Sequence, residues 1–355
     1  MKVAPIISEI RKHNDIEYKL IHTGQHFDRN MSDSFFEDLG LPYPDINLNI
    51  HGGSVPEQIG RIMIEFDKLL QEEIPDYVLV VGDVNSTVAC ALTAKQNGIK
   101  VVHVEAGLRS FDQRMPEEIN RILTDRISDF LFITENSGIV NLKNEGITRG
   151  VHLVGHVMID CLIHNLSKID AKDTIAGFGL EKGGYCLITL HRPSNVDTKE
   201  DLEKYIAYFN KIAQKIKLFL PLHPRTKNNI EKFGLSDYLH NERIVVTGPL
   251  GYIDFINLVK NSAFVLTDSG GIQEESTYLH IPCLTMRKNT ERPVTCEIGS
   301  NTLVGDDFDV IDRYIDDILS GTYKQGAIPP LRDGKAAERI LAILLEDYLN
   351  AGKYE

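Results

Sequence analysis

Apolar positions along this chain follow two rhythms that take turns. Val3, Ile6, Ile7 and Ile10 recur at helical spacing, so residues 3–14 predict an amphipathic helix. Residues 18–21 predict a strand, which leads into His22-Thr23-Gly24-Gln25-His26. Ser54-Val55-Pro56-Glu57 has the form of a capping box, and the helix it opens carries Ile59, Ile62, Met63, Phe66 and Leu70 on one face. Continuous apolar runs at 77–81, 100–104, 187–190, 218–222, 263–266 and 282–286 read as strands buried on both faces. Helices are expected between them, including one to Asn97 capped by Asn85 or Ser86, one opened by Pro116, one over 270–279 and a last one over 335–349. Strand and helix alternate throughout, which predicts an α/β fold of parallel sheets covered on both faces.

At 355 residues the chain exceeds the usual limit of one core, so two domains are expected. A turn-rich stretch at 177–184 lies early in the second half. No apolar run reaches membrane-spanning length, and the N-terminus lacks a signal peptide's apolar segment. Cys90, Cys161, Cys186, Cys283 and Cys296 are odd in number and show no metal-ligand spacing; most read as small buried hydrophobes. A cytoplasmic protein without a metal is the expectation. The net charge of −13 argues against nucleic acid or an anionic membrane as partner.

The chemically capable residues recur at the carboxyl ends of strands, where open α/β sheets bind ligands. Asp83, Glu105, His191, His223, Asp268 and Arg287 all stand there. Ser269-Gly270-Gly271 falls in a strand-to-helix turn, whose free N–H groups and dipole form a phosphate seat. One carboxylate of the following turn, Glu274 or Glu275, is placed to accept ribose hydroxyls. The second half adds His191, Arg192, His223, Arg225, Arg287 and Arg292 as candidate anion binders, with Arg192 and Arg225 the ones expected to be surface ion pairs. The first half supplies Asp83, Glu105 and Glu117, whose mutual proximity and burial would divide them into proton donor and acceptor. A first-turn carboxylate such as Glu117 also reads as a partner for the helix dipole.

Seven segments, in this order, carry a specific resemblance: His22–His26, Gly82-Asp83 with Asn85-Ser86-Thr87, His103–Arg109, Pro116-Glu117-Glu118 with Asn120-Arg121, Thr189–Arg192, Thr267–Glu275 and Thr290–Pro293. Over nearly its whole length the chain resembles the non-hydrolysing UDP-N-acetylglucosamine 2-epimerases. The resemblance implies two Rossmann-like, doubly wound domains in a GT-B-like arrangement with an interdomain cleft: residues 1–160, residues 161–330 holding UDP, and a final helix over 331–355 returning to the first domain. It implies elimination of UDP with loss of the C2 proton, then re-addition with inversion. Asp83, Glu105, Glu117 and Lys2 match catalytic positions, and His191 matches a group assisting the leaving diphosphate. Ser269, Gly270 and Gly271 would hold phosphate and Glu275 the ribose, with His223, Arg287 and Arg292 beside the nucleotide. No cofactor or metal is implied, and a homodimer is.

Two departures are visible. Family members place a strand and a Gly-Thr-Arg-Pro-Glu loop ahead of the first helix, whereas Met1-Lys2-Val3-Ala4-Pro5 aligns within that helix's opening. A misplaced or trimmed start is expected, with a natural form of impaired activity as the alternative. Asp28 and Ser194 stand where members with an allosteric second site carry Gln and Glu, so regulation of that kind is not expected. The alternatives to the epimerase are a hydrolysing variant, an epimerase of a C3-acylaminated UDP-uronic acid, and a UDP-sugar-binding protein without turnover.

Overall fold

The computed structural model describes residues 1–24 and 38–351. The chain forms two compact units, Met1–His164 with Pro330–Glu355, and Asn165–Pro329. Each is built on parallel strands.

In the first unit, β1 (Ile21–His22) pairs with β2 (Ile46–Asn47), and β3 (Tyr77–Val81), β4 (Lys100–Ala106), β5 (Phe130–Ile133) and β6 (Val151–Leu153) form a four-stranded sheet in that order. Successive side chains go to opposite faces. Val78, Val80 and Val101 pack on Ile62, Phe66 and Leu70 of the Val55–Glu72 helix. Val102, Val104 and Phe132 pack on Ile6 and on Ala336, Ala337 and Ile340 of the Ala336–Ala351 helix. Apolar residues at every position, not every second one, are what a sheet with two covered faces requires.

The second unit holds β7 (Tyr185–Thr189), β8 (Lys217–Pro221), β9 (Ile244–Thr247), β10 (Phe264–Thr267), β11 (Cys283–Thr285) and β12 (Asn301–Leu303), in the order β12-β11-β10-β7-β8-β9. Its strand order reverses between β7 and β10, whose register pairs Thr189 with Thr267. Cys186, Ile188, Phe264 and Leu266 face one core; Tyr185, Leu187, Val265 and Cys283 face the other.

The capping box at Ser54 is complete: Ser54 N–H donates to Glu57 (2.6 Å), and Ser54 Oγ accepts from Glu57 N–H (3.4 Å). Three expectations need correction. The first helix is Ala4–Ile10 and stops short of the turn-forming Asn14-Asp15, and β1 begins only at Ile21. The Asn85–Gln96 helix has no side-chain cap, because its N-cap position falls on Val84, whose side chain has no acceptor, and Asn85 is its first helical residue. β4 runs on through Glu105 to Ala106, with an irregularity between Val104 and Ala106.

Candidate active site

That irregularity shapes the first unit's site. Glu105 sits in it with φ +69°, a conformation a branched or bulky side chain rarely adopts. Backbone strain of this kind costs on the order of 1–3 kcal/mol and clusters where a side chain must be re-aimed for function. The buried Glu105 carboxylate is ion-paired to Lys2 through Oε2. Its Oε1 faces His156 Nε2 at 3.4 Å, beyond a short hydrogen bond but within ion-pair reach. His156 Nδ1 accepts the Met158 N–H at 3.1 Å, so the neutral ring carries its proton on Nε2, toward Glu105.

Asp83 follows β3, the neighbour of β4. Its Oδ2 accepts from Arg121 Nε at 2.9 Å, and its carbonyl accepts from Asn120 Nδ2 at 2.9 Å. Arg121 is also paired to Glu118, which is buried and receives the Ser110 and Phe111 N–H groups at 2.9 and 2.8 Å. Glu117, one residue earlier, is exposed on the helix's first turn. Gln25, His26 and Asp28 lie outside the described residues.

The second unit's site lies where its strand order reverses. Asp268, fully buried, takes His191 Nδ1 at 2.7 Å, the His191 and Arg192 N–H groups at 2.9 and 2.8 Å, and Asn195 Nδ2 at 3.0 Å. Burial alone would raise its pKa, but His191 and the two N–H donors outweigh it and hold the carboxyl below the ordinary value. The His223 ring lies beside His191, centroids 5.4 Å apart, with Nδ1 accepting the Arg225 N–H. Arg225 forms the expected exposed ion pair, with Asp197. Arg192 departs from its expectation: its Nε donates to the Asp268 carbonyl at 3.1 Å, which ties it to the buried end of β10.

The turn after β10 is tightly lined. A Cβ on Gly270 would lie 2.6 Å from Glu291 Oε1 and 3.1 Å from Arg292 Nη1, so any side chain there would have to displace the ends of those two residues. Arg287 and Arg292 are buried and share Glu291, at 2.7 and 2.9 Å. Burial opposes ionisation of Glu291, yet Arg292 and Arg287 bring its pKa well below the usual range. Arg287 Nε has no hydrogen-bond partner among the described residues, which leaves a donor for an anion. Glu275 is buried on the Gly271–Tyr278 helix; burial pushes its carboxyl up to about 7 against the pull of Tyr252 and Arg292. Its Oε1 has no hydrogen-bond partner among the described residues.

Residues quoted only as parts of motifs thus prove structural to the sites: Glu118, Arg121 and Glu291; Asn195, which holds Asp268, lies outside every quoted segment. His156 was not singled out, although it stands just after β6 and the strand-end rule points to it. Among the described residues no cluster of three metal-ligating side chains is present, and no helix is long and apolar enough to cross a membrane.

The family model described as UDP-N-acetylglucosamine 2-epimerase matches residues 8–345. The UDP-N-acetylglucosamine 2-epimerase of Methanocaldococcus jannaschii is 43% identical over 351 residues, 97% of this chain and 95% of that one. Its crystal structure in complex with UDP-GlcNAc and UDP superposes with a TM-score of 0.90, covering 97% of this chain and 96% of that one. A UDP-2,3-diacetamido-2,3-dideoxy-D-glucuronate 2-epimerase of Pseudomonas aeruginosa is 43% identical over 317 residues, 88% of this chain and 86% of that one.

Proposed function

This chain belongs to the UDP-N-acetylglucosamine 2-epimerase family, and we propose that it interconverts UDP-N-acetylglucosamine and UDP-N-acetylmannosamine by eliminating and re-adding UDP. A base takes the C2 proton, the C2–H electron pair becomes the C1–C2 double bond, and the C1–O pair leaves with UDP. Re-addition of UDP at C1, with a proton delivered to the opposite face of C2, inverts that centre.

The observation that carries this reading is Glu105: a buried carboxylate on strained backbone, with Lys2 on one oxygen and His156 facing the other. The Lys2 ammonium favours the ionised form, which suits a base. Asp83, held by Arg121, and Glu117, exposed on its helix, are assigned to proton delivery and return. His191, backed by Asp268, supports charge developing on the diphosphate. The Ser269–Gly271 turn and the spare donor of Arg287 are assigned to phosphate, with His223 and Arg292 beside them. Glu275 Oε1 is assigned to the ribose. No cofactor or metal enters this scheme.

A second reading, epimerisation of a C3-acylaminated UDP-uronic acid, is favoured by the identity to the Pseudomonas relative. Five free cysteines suit a cytoplasmic protein. The active form is a homodimer in this reading, supported by the exposed apolar side chains Phe111, Ile119 and Leu123; a monomeric mass in solution would remove it.

The test is proton NMR of the purified protein with UDP-N-acetylglucosamine in heavy water. The manno epimer as a UDP-sugar with deuterium at C2 is expected. Free N-acetylmannosamine with UDP would mark the hydrolysing variant, and no exchange would send the search to UDP-uronic acids.

A further inference from the structure

We propose that His103 and Asp125 form a buried imidazolium–carboxylate pair that positions the ends of β3 and β4, where Asp83 and Glu105 stand, a role that rests on the function proposed above. Both side chains are fully buried. His103 Nε2 lies 2.8 Å from the Gly82 carbonyl oxygen and Nδ1 lies 2.7 Å from Asp125 Oδ1. A carbonyl only accepts, so Nε2 carries a proton. A neutral ring would then turn a bare Nδ1 toward Asp125, which is tolerable only if Asp125 is itself protonated.

The remaining contacts of Asp125 argue that it is not. Its Oδ2 receives the Gly107 N–H at 3.1 Å and Arg109 Nη1 at 2.7 Å, both donors alone. With the Arg109 guanidinium on its other oxygen, Asp125 is held as the carboxylate, so the shared proton sits on Nδ1 and the ring is charged. Arg109 is in turn bidentate to the exposed Glu145 at 2.7 and 2.8 Å, so charges of opposite sign alternate from His103 through Asp125 and Arg109 to Glu145 and each buried one has an opposite partner, the condition under which burial of charge is tolerated.

What this pair holds is informative. The Gly82 carbonyl belongs to the peptide that leads into Asp83, and the Gly107 N–H lies two residues beyond Glu105. Both glycines have positive φ, +69° and +77°, so each loop leaves its strand by a bend that needs an anchor. One ion pair thus anchors the ends of β3 and β4 together. Nothing places His103 or Asp125 on the substrate; they act through Asp83 and Glu105.

The charge is tested by histidine-selective ¹⁵N labelling of the full chain, read by long-range proton–nitrogen correlation near neutral pH. An imidazole with both nitrogens protonated, lost in His103→Gln, is expected; a His103 with one bare nitrogen overturns the proposal. This readout does not depend on turnover, so it stands whether or not the proposed reaction does. The positioning role is tested with Asp125→Asn, which keeps shape and removes charge. Its kcat is expected to fall about ten- to a hundredfold, the scale of a small misplacement of catalytic groups, while UDP affinity stays within about threefold. Unchanged kcat, or UDP affinity falling in step with kcat, overturns it. His103→Gln carries the same comparison if Asp125→Asn does not fold.

Discussion

His191 Nδ1 stands 2.7 Å from Asp268 Oδ1, across the one reversal of strand order in the second unit's sheet. The contact is rigid, because the two N–H groups and Asn195 that also bind Asp268 come from the segment just after β7. It fixes which ring nitrogen is engaged and leaves Nε2 of a part-exposed ring to meet a ligand.

Asp268→Asn is therefore expected to lower kcat by about a hundredfold or more, since an amide no longer fixes the imidazole's tautomer or supports its charge. The same substitution changes acid stability. Asp268 has a folded pKa below its unfolded one, so its contribution is present above the ordinary value of about 3.9 and is lost as pH falls through the lower folded value. Thermal melts of the variant should lose less stability than those of the native protein across that interval. Parallel curves would remove Asp268 as the cause.

Glu105→Gln is expected to abolish C2 exchange while leaving UDP binding nearly intact, because it removes proton transfer without touching the second unit. Deuterium incorporation and calorimetry with UDP read the two effects separately. Exchange at the native rate would take Glu105 out of the mechanism.

His156→Leu should lower kcat about tenfold, the scale of losing one polar contact to the Glu105 carboxylate, with KM little changed. His156→Gln, which retains an N–H donor, should recover part of the loss. Equal activity in all three proteins would mean that the 3.4 Å contact with Glu105 is incidental.

Glu275→Gln should stabilise the unliganded protein and weaken UDP binding. A folded pKa of about 7 against an ordinary 4.5 means that the native state keeps a proton the unfolded chain has released. Stability is accordingly lost as pH rises from about 4.5 to about 7, by on the order of 3 kcal/mol. The melting-temperature gap between variant and native protein should widen over that interval. A constant gap would show that the carboxyl is not held protonated.

Gly270→Val is expected to weaken UDP binding more than tenfold, because its Cβ would press on a carboxylate clamped by Arg287 and Arg292. Native affinity by calorimetry would move the phosphate away from this turn.

The Pro116–Ile127 helix shows where reading by pattern fails. It buries Glu118, Asn120, Arg121, Thr124 and Asp125 and exposes Ile119 and Leu123, the reverse of the usual amphipathic arrangement. The buried face is satisfied by charge pairs to Asp83, Arg109 and His103, which lie distant in sequence. Periodicity ranks residues by apolarity and cannot register that compensation, so Glu117 drew attention while its neighbour Glu118 holds the loop at Ser110.

The sequence alone determined what depends on short range: the strands β3, β4, β7, β8, β10 and β11 with most helices, the capping box at Ser54, the glycine turn after β10, and the placing of Asp83, Glu105, His191, His223, Asp268 and Arg287 at strand ends. These follow from side-chain period and backbone sterics within a few residues. Tertiary structure alone decided which charges meet. Glu105 lies between Lys2 and His156, Asp268 receives His191, and His103 reaches Gly82, because parallel strands bring together chain segments tens of residues or more apart. Electrostatic partnership is a matter of distance and burial, and neither is written in the order of residues.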